Sequence, residues 1–396
     1  MKPEQIILFV HQSAEMYGSD KVLLYLVQGL HAGGDFHPIV VLPENGPLYV
    51  ALLAAGIEVH IAAVAKISRS IMSPAGIFRL AQEVLKGVRG IDKVVGKRQI
   101  ALVHSNTLAV LSGAIWAALR RKQHIWHVHE IILEPKLVSK GYPWLVRLLS
   151  DSVISNSTLT ERWLLSGQAS LTSKSIVVFN GLPNIAKPSE VAILAFRDRV
   201  GASADEVVVT LAGRINRWKG QELLVQAAAE LQHRDKVTGF RFVIVGDAGP
   251  GLEHLLAQLQ AQVMSFGLER YFTFLPFVDD VWPVWFGTDI CVVPSTQPEP
   301  FGMVAIEAMA AAVPVIAAGH GGLLDIVVND KTGQLFTPRS VTGLADALQR
   351  LGSNSSLRRS FGAAGLNRQR EFFSVDSQVE RTKGVYMELL HTQGCQ

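Results

Sequence analysis

Hydrophobic and polar positions alternate along this chain on two scales. Short apolar runs rich in Val, Ile and Leu recur at intervals, and most are separated by longer stretches with helical spacing. The runs predict strands at Ile6–Val10, Pro38–Leu42, Val59–Ala62, Leu102–His104, Ile125–His129, Ser152–Ser155 and Ile176–Phe179. A second series follows at Val207–Ala212, Arg241–Val245, Phe272–Phe274, Ile290–Val293, Val315–Ala317 and Gly333–Phe336. Continuous apolar strands with helices between them describe parallel sheets covered on both faces, and the pattern occurs twice.

The segment Asn180-Gly-Leu-Pro-Asn-Ile-Ala-Lys-Pro188 interrupts the pattern with prolines, asparagines and a glycine, and reads as a linker. The expected organisation is a first α/β domain over 1–180, a linker over 181–188, a second α/β domain over 189–372 and a helical segment over 373–396. That last segment, with its apolar stretch Val385–Leu390, is expected to pack back toward the first domain.

At 396 residues the chain is too long for one ordinary core and suits two. Charged residues are 18% and hydrophobic ones 48%, a globular and not a disordered balance. Two cysteines, Cys291 and Cys395, do not make a disulfide framework and fit a reducing cytoplasm. Ile6–Val10 is too short for the apolar core of a secretory leader, and Ala101–Leu119 is broken by His104, Ser105, Asn106, Thr107 and Ser112. A cytoplasmic enzyme is therefore expected.

The net charge of +3 conceals an asymmetry. Residues 1–180 hold 18 of the 37 basic and 12 of the 34 acidic side chains, leaving 19 and 22 for the remainder. Between Lys66 and Arg98, eight basic residues face two acids, with Ile67, Ile71, Met72, Ile77 and Phe78 interleaved. Together with Arg120-Arg121-Lys122 this stretch suits docking on an anionic membrane surface. A solvated helix face is the alternative. No aromatic interleaving or known module points to nucleic acid.

The strongest local signal is Pro294-Ser-Thr-Gln-Pro-Glu-Pro-Phe-Gly-Met-Val-Ala-Ile-Glu307. A strand ends at Pro294, prolines flank Glu299, Gly302 permits a close backbone approach, and a helix follows over Met303–Ala312. A strand, a loop and a helix start make an anion site through free amides and the helix dipole. Glu307 sits among Met303, Val304, Ala305, Ile306, Ala308 and Met309, where an unpaired carboxylate is costly. A ribose diol would satisfy it; so would a neighbouring loop.

A second signal is Gly213-Arg-Ile-Asn-Arg-Trp-Lys-Gly220, after the first strand of the second domain. Arg214 and Lys219 stand where such a loop meets its ligand, and two cations would neutralise a diphosphate. An ordinary solvated loop is the other reading. Weaker signals are Gly18 before a helix near Lys21–Leu30, explained equally by an N-cap at Ser19 or Asp20, and Trp126-His-Val-His-Glu130. His127 and His129 share a strand face, but a metal site would need a third ligand. His129, at a strand end, is placed to touch substrate. There is no Asp-x-Asp motif and no G-x-G-x-x-G after a first strand.

Together these residues resemble the retaining glycosyltransferases of family 4, with the GT-B fold of two Rossmann-like parallel-sheet domains facing a deep interdomain cleft. Glu299 and Glu307 match the E-x7-E motif, and Gly213-Arg214 with Lys219-Gly220 match a GR…KG loop. Gly246-Asp247, Asn180-Gly181, Gly18 and His129 match further positions. The resemblance implies transfer of a hexose-type sugar from a nucleoside-diphosphate sugar to an acceptor hydroxyl, with retention and without a metal or other cofactor. It further implies a role in bacterial cell-surface polysaccharide or glycolipid synthesis.

The implied roles follow by residue. Arg214 and Lys219 hold the diphosphate, Glu299 bonds sugar hydroxyls, and Glu307 holds the ribose. Backbone amides of Phe301, Gly302, Met303 and Val304 face the sugar and phosphates, and Gly246, Val278 and Gly18 complete the donor site. His129 touches the donor sugar or the acceptor hydroxyl. The acceptor is expected to be a glycan or a lipid-linked hydroxyl, with peripheral association at the inner face of the cell membrane. Departures are Tyr17-Gly-Ser-Asp20 in place of paired glycines, Pro276 where Gly is frequent, and Asp325 in place of Glu. Another enzyme of the same fold, an epimerase or a phosphorylase, and a non-catalytic sugar-nucleotide sensor are the rivals.

Overall fold

The computed structural model describes residues 5–65, 74–132 and 134–393. Among these there are thirteen strands: β1 Gln5–His11, β2 Phe36–Leu42, β3 Glu58–Ile61, β4 Ile100–Asn106, β5 Gln123–Val128, β6 Ser152–Ser155, β7 Ser175–Val177, β8 Val207–Ala212, β9 Phe240–Val245, β10 Phe272–Leu275, β11 Ile290–Val293, β12 Val315–Ala318 and β13 Gly333–Phe336. Each lies on one of the predicted runs. They form two parallel sheets, ordered β3-β2-β1-β4-β5-β6-β7 and β10-β9-β8-β11-β12-β13.

The chain divides into two compact units, one of residues 1–183 with 374–396, the other of residues 184–373. In each sheet the order reverses once, between β1 and β4 in the first unit and between β8 and β11 in the second. At such a reversal the loops leaving adjacent strands diverge, and a crevice opens at the carboxyl ends.

The helix Val375–Gln393 belongs to the first unit. The Val375 amide donates to Leu182 O at 3.0 Å, and a Cβ on Gly181 would lie 2.4 Å from Ser374 O. Val379 and Tyr386 are buried in the first unit's core, Tyr386 edge-on to Phe36 at 5.4 Å. A Cβ on Gly29 would meet Val379 Cγ2 at 2.5 Å, so the helix Gly18–Ala32 needs its glycine there.

Two local expectations are corrected. The helix near Lys21–Leu30 runs over Gly18–Ala32, and its N-cap is Tyr17. Asp20 stands three residues in and reaches back to accept from the Tyr17 amide at 2.9 Å, one half of a capping box. The helix after Gly302 runs over Met303–Ala310; Ala312 takes a left-handed φ of 58°, and Pro314 follows.

Part of the basic excess in the first unit is consumed locally. Arg98 donates to Glu58, which also accepts from His60 at 2.6 Å and His37 at 3.3 Å. Burial pushes the Glu58 carboxyl up, but the hydrogen bonds from Arg98, His60 and His37 prevail and hold it at about 2. Arg120 grips Asp92 with two bonds of 3.0 and 2.6 Å. Arg79, Lys86, Arg89, Lys93 and Lys97 remain exposed, as does Phe78. Lys66, Ile67, Arg69, Ile71 and Met72 lie outside the described residues, as does Cys395, whereas Cys291 is buried. No helix among the described residues is long and apolar enough to cross a membrane.

Candidate functional site

The second unit's switch point is framed by the loop after β8, residues 213–220, and the loop after β11, residues 294–302. The first is held open by Gly213 (φ 147°) and closed by Gly220 (φ 81°), the N-cap of the helix Gln221–His233. Between them Asn216 Oδ1 accepts from the amides of Trp218 and Lys219 at 3.0 and 2.9 Å, which turns the chain inside the loop. Trp218 O in turn accepts from the Thr296 amide at 2.7 Å, tying the two loops together. A Cβ on Gly220 would lie 2.1 Å from Pro294 O, so the loops meet only because that residue is glycine.

The Lys219 ammonium lies 2.7 Å from Glu299 Oε1 and 4.6 Å from the centre of the Trp218 ring. Ser295 Oγ donates to the same carboxylate oxygen at 2.5 Å. Glu299 is 5% exposed. Its backbone is gripped from the other side: Gly322 N donates to Glu299 O at 2.8 Å, and His320 Nε2 bonds Ser295 O at 2.8 Å. A Cβ on Gly321 would fall 2.6 Å from Glu299 O. The residues Pro298 to Pro300 are thus clamped by the glycine pair, which sequence reasoning had noted only in passing. It gave no role to Ser295 and Asn216, which lie inside the two motifs it had singled out, or to His320, which precedes the glycine pair.

Phe301 is 3% exposed, with its ring 6.0 Å from that of Phe373, so its side chain is core. Gly302 takes a φ of 123°, and a Cβ there would meet Leu323 Cδ2 at 2.8 Å. It caps the helix Met303–Ala310, whose first turn carries Met303 and Val304, both half-buried. Gly246 (φ 134°) packs against Gly213, where a Cβ would lie 2.4 Å from Gly213 O. The Gly246 amide donates to Leu275 O at 2.9 Å, and Asp247 Oδ2 accepts from the Phe277 amide at 3.1 Å. Val278, half-buried, joins the small cluster beneath these strand ends.

Glu307 is half-buried, and its Oε2 accepts from the Trp285 indole at 3.4 Å. Burial, reinforced by the Glu307 charge, pushes the Cys291 thiol well up, so Cys291 stays neutral. The carboxylate on an apolar helix therefore has a protein donor, which the sequence could not name.

His129 and Gly18 belong to the first unit. Gly18 is the exposed first residue of its helix. His129 follows β5 and is 7% exposed, with Nε2 2.9 Å from Asn106 Oδ1. Among the described residues no group of three or more His, Cys, Asp or Glu side chains could hold a metal ion.

Two units, each a Rossmann-like parallel sheet with its polar side chains gathered at the reversal of strand order, define the GT-B fold. Residues 193–368, most of the second unit, match the model of the family of glycosyl transferases group 1. The chain is 35% identical over 201 residues to the D-inositol 3-phosphate glycosyltransferase of Corynebacterium aurimucosum, covering 49% of this chain and 46% of that one. Its counterpart from Rhodococcus jostii is 36% identical over 235 residues, covering 58% and 51%. The matched region thus spans about half the length of these curated relatives. The crystal structure of Anabaena Alr3699/HepE in complex with UDP and glucose superposes with a TM-score of 0.82 at 25% identity, covering 97% of this chain and 100% of that one. The same protein is known in complex with UDP-glucose.

Proposed function

We propose that the protein is a retaining glycosyltransferase that moves a hexose-type sugar from a nucleoside diphosphate to an acceptor hydroxyl. The observation that carries the reading is the Lys219–Glu299 pair at the second unit's switch point. A cation and a carboxylate held together across two loops that each run into a helix start suit a ligand carrying both diphosphate and sugar hydroxyls. The similarity to a protein crystallised with UDP and with UDP-glucose makes UDP-glucose the first donor to test.

In the reaction the bond from the anomeric carbon to the diphosphate oxygen breaks, the acceptor oxygen bonds that carbon, and the acceptor proton leaves with the diphosphate. Arg214 and Lys219 stabilise the negative charge on the leaving group, and Glu299 orients sugar hydroxyls. Glu307 holds the ribose, and the backbone at Phe301–Val304 lies along the sugar and phosphates. Gly246, Val278 and Gly18 line the donor's path, and His129 meets a sugar or acceptor hydroxyl. No metal is required, because Arg214 and Lys219 neutralise the charge.

The acceptor belongs to bacterial cell-surface polysaccharide or glycolipid synthesis, and the first unit reaches it by docking on an anionic membrane. Phe78, Arg79, Lys86, Arg89, Lys93 and Lys97 form the exposed part of that surface. Release of UDP from UDP-glucose only when an acceptor is present, with an axial product linkage, tests the transfer. UDP release independent of acceptor, or product of inverted configuration, overturns it. Sedimentation with anionic liposomes tests the docking. Binding is expected at low salt and lost on charge reversal at Lys86, Arg89, Lys93 and Lys97; binding indifferent to lipid charge rejects it.

A further inference from the structure

At the first unit's switch point four buried polar side chains form a single chain of hydrogen bonds. Asp20 Oδ1 lies 2.6 Å from His11 Nε2, while Oδ2 accepts from the Tyr17 amide. His11 Nδ1 lies 3.0 Å from Asn106 Nδ2, and Asn106 Oδ1 lies 2.9 Å from His129 Nε2. The far nitrogen of the last ring, His129 Nδ1, is buried and has no hydrogen-bond partner among the described residues.

The direction of every bond follows from Asp20. A carboxylate only accepts, so His11 Nε2 carries the proton. In a neutral His11 ring Nδ1 is then a lone pair, and the Asn106 amide nitrogen donates to it. The backbone O of Asn106 stands farther from that nitrogen, at 3.3 Å. The amide oxygen of Asn106 must then accept, which places the proton of His129 on Nε2 and a lone pair on Nδ1. An amide passes no proton along, so the chain sets a tautomer and is not a proton relay. Burial, the largest cause, holds His129 well below the usual imidazole range, so the ring is neutral near pH 7.

A second chain ends alongside. The Tyr386 hydroxyl lies 2.7 Å from His104 Nδ1, and His104 Nε2 lies 3.2 Å from His127 Nδ1. His127 Nε2 is likewise buried without a partner among the described residues, and the His127 and His129 rings are centred 4.1 Å apart. With Tyr386 donating, His127 offers a donor beside the acceptor on His129. Two buried, unsatisfied nitrogens of opposite polarity, on rings centred 4.1 Å apart, offer the donor and the acceptor that hydroxyl groups complement.

We propose that Asp20, acting through His11 and Asn106, fixes His129 in the Nε2–H tautomer so that Nδ1 accepts a hydrogen bond from a carbohydrate hydroxyl. The identity of the hydroxyl rests on the transferase reading; the tautomer does not. Asp20, His11 and Asn106 are positioning residues.

The test is nitrogen NMR of the full chain labelled in its histidines, with the His129 signals assigned by their loss in His129→Gln. Wild type is expected to show Nε2 protonated and Nδ1 bare. In Asp20→Asn the Tyr17 amide retains the new side-chain oxygen, so the amide nitrogen faces His11. The His11 proton then moves to Nδ1, Asn106 turns over, and His129 becomes Nδ1–H. Asn106→Leu cuts the chain and is expected to leave His129 as a mixture of tautomers.

Wild-type His129 protonated on Nδ1, or an unchanged tautomer in both Asp20→Asn and Asn106→Leu, would overturn the proposal. With UDP-glucose, Asp20→Asn is expected to lower kcat/KM on the order of 10²-fold while UDP affinity, measured by titration, stays at the wild-type value. A parallel fall in UDP affinity and in Tm would make Asp20 a fold-supporting residue and reject the positioning role. A tautomer switch without turnover from any nucleotide sugar would count against the transferase reading alone.

Discussion

Lys219 Nζ and Glu299 Oε1 are 2.7 Å apart, on loops separated by 80 residues in the chain. The contact has two sides. It presents a cation near the start of a helix, and it satisfies a carboxylate whose side chain is 6% exposed.

Lys219→Ala is therefore expected to lose stability as well as turnover. Ser295 would be left as the carboxylate's side-chain hydrogen-bond donor. Removing one partner of a buried pair strands the other charge, a cost of about 2–3 kcal/mol, discounted because Lys219 is partly exposed. The double variant Lys219→Ala, Glu299→Gln should recover most of it in urea denaturation. Equal stability of single and double variants would show that Glu299 does not depend on Lys219. Turnover should fall roughly 10²-fold in Lys219→Ala and in Arg214→Ala.

Two glycines with left-handed backbone separate strain from crowding. Gly34 (φ 72°) has nothing within 4 Å of a built Cβ, whereas Gly220 (φ 81°) would place one 2.1 Å from Pro294 O. Gly34→Ala is expected to cost about 1 kcal/mol, the left-handed penalty alone. Gly220→Ala should cost about 2–4 kcal/mol, because the two loops must part. Similar midpoints for the two variants in urea would refute the close approach.

The first unit should be acid-labile. Burial lowers His124 to about 4 from 6.5, with the Leu149 carbonyl at 2.6 Å opposing the fall. Burial likewise lowers His104, His127 and His129. A base whose folded pKa is depressed stays neutral in the native state while the unfolded chain takes up protons. Stability is then full above pH 6.5 and falls as pH drops from there toward about 4. Glu58 extends the loss, since its contribution is full above pH 4.5 and disappears toward about 2. Thermal unfolding across this range should show Tm falling from pH 6.5 downward, and Glu58→Gln should flatten only the part below 4.5.

Turnover with UDP-glucose is expected to persist in excess chelator, with Arg214 and Lys219 acting on the leaving group. Complete loss that Mg²⁺ or Mn²⁺ restores would refute metal independence.

The sheets were legible in the sequence because a strand covered on both faces must be apolar throughout, and runs such as Val207–Ala212 have few other readings. The loops around Lys219 and Glu299 were legible because proline and glycine restrict the backbone locally, wherever the rest of the chain lies. Contacts between distant residues were not. Trp285 meets Glu307 across 22 positions, and His11 meets Asn106 across 95. Nothing in either neighbourhood names the other. The basic stretch was overcounted for the same reason: Glu58, which holds Arg98, comes from β3, 40 positions away.

The return of helix Val375–Gln393 to the first unit bears on how the protein is made. Val379, Val385 and Tyr386 complete a core whose other members begin at Ile7. A ribosome adds about 5–20 residues per second and most domains close as they emerge. Here the first unit's sheet waits for this helix, while residues 184–373 of the second unit are all synthesised before it. The second unit can therefore close before the first does. In the interval the apolar surface that Tyr386 later covers beside Phe36 and His104 stays open to water.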